Sequence, residues 1–141
     1  MAADGDDEEG QLRRDPRLQR AIDLFNAGDW YACHDGFEEL WHETQGPTRP
    51  VLQGILQIAV AHLHLERGNR RGATVLLGEG LGRLQAGGAT ALGLDLVLLS
   101  QRAGQRLLCL QHDGDPGRLP VPELRVAPPP SPPTGPPGID Q

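Results

Sequence analysis

The residues that could carry chemistry lie in two stretches, His34 to Trp41 and Gln57 to His64. His34 and Glu38 are four apart, so on a helix their side chains can touch. Gln57 and His64 are seven apart, close to one line along a helix. If the two helices pack through those faces, His34, Glu38, Gln57 and His64 form one polar cluster, with Trp41 beside it. Two readings follow. In one, imidazole and carboxylate hold a divalent metal such as Zn, Fe or Mn, with His34, Glu38 and His64 as ligands. A desolvated carboxylate beside a histidine could equally serve acid–base catalysis. In the other, the cluster is a buried hydrogen-bonded network that fixes helix register. The structural reading is preferred, because ion-pair networks perturb protonation just as catalytic sites do.

Other chemistries are poorly provided for. Glu39-x-x-His42 has the spacing of a di-iron ligand pair, but it faces water and has no second copy. Cys33 and His34 are neighbours, so their side chains diverge on a helix. Ser100 and Ser131 have no patterned histidine or acid. The chain contains no lysine; all 13 basic residues are arginine. Schiff-base chemistry and a P-loop lysine are therefore excluded. The two cysteines, Cys33 and Cys109, form no metal-ligand spacing and fit buried thiols in a reducing compartment.

The elements that must position these residues read as helices. Asp15 and Pro16 make a start signal, and Leu18, Ala21, Ile22 and Phe25 then recur at helical spacing over about 16–27. Gly28 closes that helix and Asp29 caps the next, 30–43. On a wheel of about 100° per residue, Trp30, Cys33, Phe37, Leu40 and Trp41 form its apolar arc. A third helix over 49–67 is apolar nearly all round and so should be the buried centre. Only Gln53, Gln57 and His64 interrupt it on one stripe, and His62 points elsewhere, with Ile55 and Ile58. Asn69 caps a fourth helix, 70–86. Arg70 and Arg71 in its first turn face an unfavourable dipole, so at least one should pair with an acid or meet an anionic partner. This helix is rich in glycine, and Gly72, Leu76 and Gly80 share a face suited to a tight crossing. Asp95 caps a last helix, to 111. No alternating strand pattern occurs. The expected fold is all-α: a small antiparallel bundle or array of about five helices.

Composition shifts at both ends. Asp4, Asp6, Asp7, Glu8 and Glu9 precede Gly10 with no base among them. Residues 1–14 are therefore expected to be an acidic disordered N-terminus, 15–112 the helical domain, and 113–141 a proline-rich disordered tail. The net charge is −6, and the acidic head supplies most of it. The remaining domain is nearly neutral, which argues against a nucleic-acid partner. No apolar run approaches the ~20 residues that span a bilayer, and the N-terminus lacks the apolar stretch of a secretory signal. No membrane association and a cytoplasmic location are the expectations.

The stretch Phe25-Asn26-Ala27-Gly28-Asp29-Trp30-Tyr31, then His34-x-x-x-Glu38-Glu39-x-Trp41, then Leu52-Gln53-Gly54-Ile55-Leu56-Gln57-x-Ala59, then His64, Gly68-Asn69 and Gly72-Ala73 resembles a bacterial, archaeal and plant family catalogued as domain of unknown function 309. The resemblance spans about Asp15 to Leu110. It implies an all-α fold of about five helices and marks His34, Glu38, Trp41, Gln57 and His64 as signature positions, but supplies no established activity. His62 is an extra histidine, and the acidic head and proline-rich tail lie outside the pattern. The functional expectation is a small cytoplasmic binding or assembly module with a protein partner or a homo-oligomeric state. The alternative is a metal-dependent enzyme, such as a hydrolase, centred on His34, Glu38 and His64; a divalent metal is the cofactor it would require.

Overall fold

The computed structural model describes residues 4–129, which form six helices and one short hairpin. The helices are α1 (Asp4–Arg14), α2 (Pro16–Asn26), α3 (Trp30–Glu43), α4 (Arg49–Glu66), α5 (Arg70–Leu84) and α6 (Leu96–Gln111). Four of the starts are set by side-chain caps at Asp15, Asp29, Asn69 and Asp95, each accepting a hydrogen bond from a first-turn backbone N–H. Gly28 and Gly68, both at positive φ, take the chain out of α2 and α4.

Helix α4 is the centre. Val51, Leu52, Ile55, Leu56, Ile58, Ala59, Ala61 and His62 on it are all buried, and it packs between α3 and α5. Helix α2 covers the far side of α3, and α6 the far side of α5. The array is held at its middle by a backbone crossing. A Cβ on Gly54 would lie 2.8 Å from the Gly80 carbonyl oxygen, and one on Gly80 would lie 2.9 Å from that of Gly54. Gly80 thus serves the tight crossing expected of it. Gly72 does not: an added Cβ there would meet only the Asn69 cap, and Leu76 is half-buried beside the core.

The acidic head differs from expectation through residues 4–14, which form α1. Glu8 and Glu9 on it accept from stranded backbone donors. Glu8 takes hydrogen bonds from the Gln45 and Gly46 amides at 2.9 and 2.6 Å, and Glu9 from the Leu92 amide at 2.7 Å. Leu12 is buried in the main core. Counting charge alone concealed this use.

The expected tail also begins later than residue 113. Residues 119–129 form an extended strap laid back on the helices. Asn26 clasps it, accepting from the Leu124 amide at 2.8 Å and donating to the Leu124 carbonyl at 2.9 Å, with the Leu124 side chain buried. Arg106 donates to the carbonyls of Leu119 and Pro120. Prolines bar this segment from a helix but leave its carbonyls free to accept. Expectations for residues 1–3 and 130–141 lie outside the described residues.

A hairpin, β1 (Thr90–Ala91) and β2 (Leu94–Asp95), turns through Leu92 and Gly93, both at positive φ. The strap docks on it: the Asp95 amide donates to the Arg125 carbonyl and the Ala127 amide to the Gly93 carbonyl, each at 2.8 Å.

Candidate functional site

Helix α3 turns Trp30, Cys33, Phe37 and Leu40 into the core. That leaves His34, Glu38 and Trp41 on its shoulder. His34 Nδ1 lies 3.2 Å from Asp35, and its Nε2 lies 3.8 Å from Glu38. The second distance is too long for a hydrogen bond. Both side chains are partly exposed, His34 at 27% and Glu38 at 45%.

The other half of the expected cluster looks away from this pair. Gln57 reaches across to α5, donating to Glu79 at 3.1 Å and accepting from Arg83 at 3.0 Å. His64 meets the Asn69 amide group at 3.2 Å. Trp41 is stacked by the Arg49 guanidinium, 4.1 Å from the ring centroid. Arg49 also donates to the Trp41 and Thr44 carbonyls at the end of α3. The five positions therefore belong to four separate contacts, and no hydrogen bond joins His34 or Glu38 to Gln57 or His64. Among the described residues no group of three His, Cys, Asp or Glu side chains could hold a metal ion.

The histidine that does enter the interior is His62. Its Nδ1–H donates to the Ile58 carbonyl at 2.8 Å, its ring lies 4.7 Å from that of Trp30, and its Nε2 is buried without a partner. Burial pushes its pKa down to about 4, and the Arg106 charge adds to that. Burial likewise pushes the Cys33 thiol up to about 12, which makes it inert as a nucleophile. On the opposite side, Arg17 joins Asp15, Glu39 and Glu43 in an exposed ion-pair group that holds the Asp15 and Glu43 carboxyls below their usual range. Arg70 finds a carbonyl and not an acid: it reaches the Leu110 oxygen at the end of α6, at 3.5 Å.

Residues 18–76 match the family model described as Domain of unknown function (DUF309). The chain resembles that family from α2 to the middle of α5. This stretch contains the whole His34 to His64 set and excludes α1, the hairpin, α6 and the strap. No curated protein matches the chain.

The DUF309 match stops where a second surface begins, on the outer side of α5 and α6. Gly78 and Gly82 of α5 and Gly104 of α6 have open space where a side chain would stand. Val75, Val97 and Leu108 are exposed there, at 52, 49 and 58%. At one end, Leu84, Gln85, Gly88, Ala89, Leu96 and Val97 line an apolar groove of 550 Å³. On a helical wheel, the residues around these positions are Arg71, Thr74, Leu81, Ser100, Gln101 and Leu107. Of these only Arg71, in the first turn of α5, is charged. Glu79 and Arg83 turn to α4, and Arg102 and Arg106 turn to the strap. The glycine excess of α5 was a visible signal, but internal packing accounts only for Gly80. The open positions of Gly78 and Gly82 require the fold to be known.

Proposed function

We propose that the protein is a binding and assembly module that docks a protein partner on the outer face of α5 and α6. The carrying observation is the coincidence there of exposed Val75, Val97 and Leu108 and an apolar groove, with Arg70 and Arg71 confined to one end. Contiguous apolar surface of this kind marks interaction sites in small proteins. Cations at one end alone cannot follow a phosphate backbone along the face, so the partner is a protein. A cytoplasmic setting fits this reading, since Cys33 and Cys109 stand unpaired. No helix among the described residues is long and apolar enough to cross a membrane. In this reading Gln57 and His64 tie α4 to α5 and its cap, and His34 and Glu38 are a surface pair on α3. The test is photo-crosslinking in the producing cell from benzoylphenylalanine placed at Val97 or Leu108, with Tyr31 on α3 as the control. Adducts of fixed mass are expected from the first two positions and not from the third. No adduct from either would refute the reading.

A further inference from the structure

We infer that the partner on the α5/α6 face is a second copy of this chain, docked about a two-fold axis. The inference rests on the reading of that face as a docking surface, and three observations carry it further. The first is charge. A two-fold interface brings a surface against itself, so a charge near the axis meets its own like. The chain carries a net −6, and the α2/α3 side is crowded with Arg17, Arg20, Asp35, Glu39 and Glu43. The outer α5/α6 face is free of that repulsion, with Arg70 and Arg71 only at one end. Beyond that end it has no charge with which to select a foreign, oppositely charged partner.

The second observation is the glycines. Gly54 and Gly80 are explained by the α4/α5 crossing, where any Cβ would strike backbone. Gly78, Gly82 and Gly104 have nothing within 4 Å, although each weakens its helix relative to alanine. Gly78 and Gly82 are four apart and form a shallow channel along α5. The channel lets another helix backbone approach closely, and Val75, Val97 and Leu108 flank it with apolar side chains.

The third is size. A 15-residue helix is about 22 Å long, and two helices packed side by side present a strip about 20 Å wide. Two such faces hide roughly 900 Å², close to the ~1,000 Å² that a specific interface needs. The dimer is therefore reversible and concentration-dependent.

The experiment is sedimentation of the purified full chain from about 1 µM to about 500 µM, a span that resolves dissociation constants in the micromolar range. A monomer–dimer equilibrium is expected. Gly78→Leu with Gly82→Leu should block the close approach, and Val97→Asp with Leu108→Asp should set like charges across the axis. Each pair should raise the dissociation constant at least tenfold, with helical content kept and the melting midpoint of the monomer not lowered. A chain that stays monomeric throughout overturns the inference, as does a dimer whose constant both variant pairs leave unchanged. If the purified chain is monomeric while Val97 and Leu108 still form adducts in the cell, the second copy is wrong and the docking surface stands.

Discussion

Two glycines separated by one residue in α5 should respond to alanine with opposite signs. At Gly80, an added Cβ would sit 2.9 Å from the Gly54 carbonyl oxygen, 3.1 Å from Ile58 Cγ1 and 3.3 Å from Gln57 Cβ. The nearest of these is backbone, so the strain is relieved only by moving α4 and α5 apart. Overpacking of this kind costs about 1–3 kcal/mol. The gain in helix propensity returns about 1 kcal/mol, which leaves Gly80→Ala destabilised by up to about 2 kcal/mol. At Gly78 the added methyl meets nothing within 4 Å, so only the propensity gain remains, about 1 kcal/mol of stabilisation. The propensity gain is common to both, so the two variants should lie about 1–3 kcal/mol apart. Urea unfolding at low micromolar concentration, where the monomer dominates, measures this directly, and unchanged slopes would tie the shifts to stability. A Gly80→Ala protein as stable as Gly78→Ala would show that α4 and α5 do not meet through their backbones. A destabilised Gly78→Ala monomer would show that its outer side is not open.

Acid should weaken the fold through His62. The ring is neutral and buried with a pKa of about 4, against about 6.5 in the unfolded chain. The unfolded state binds the proton first as pH falls. Stability is therefore full above about pH 6.5 and is lost towards pH 4, by about 3 kcal/mol. The His62→Leu variant should show a flatter profile over that window, and a profile parallel to the parent's would refute the assignment. Removing residues 1–12 should cost about 3 kcal/mol or more, from the burial of Leu12 and the hydrogen bonds of Glu8 and Glu9. A truncated chain melting with the parent would show that α1 does not dock.

The parts of the fold that were legible in the sequence are those written locally. Asp15, Asp29, Asn69 and Asp95 each mark a helix start, and the apolar recurrence between them gives five helices within about two residues of their ends. The uniform apolarity of Val51 to Leu65 correctly marks α4 as central. What escaped depends on distant partners. Glu8 and Glu9 look like a solvated acidic run until Gln45, Gly46 and Leu92 supply backbone donors more than 35 residues away. The strap is held by Asn26 across 98 residues. The hairpin is too short to show alternation. At the site, the i, i+4 relation of His34 and Glu38 was readable, but the direction of Gln57 was not. Its α5 neighbours Glu79 and Arg83 offer charged partners on the side away from α3, and charge-assisted bonds win over neutral ones.

Both ends of the described chain converge on the hairpin. Glu9 and Arg13 from α1 and Ala127 and Pro128 from the strap line one cleft with Thr90, Ala91 and Gly93. The backbone is thus almost a closed ring, with its seam at that cleft and its helices threaded around the circumference. A ring can be cut elsewhere. Joining the ends through a short linker and opening the chain at the exposed Gly68 turn between α4 and α5 would keep every helix intact, because the fold depends on which segments lie side by side and not on where synthesis begins. Such a permuted chain would make the α1 and strap segments contiguous. They would then close on the hairpin as a single local unit in place of two remote arms, and the slow search for long-range contacts would be shortened.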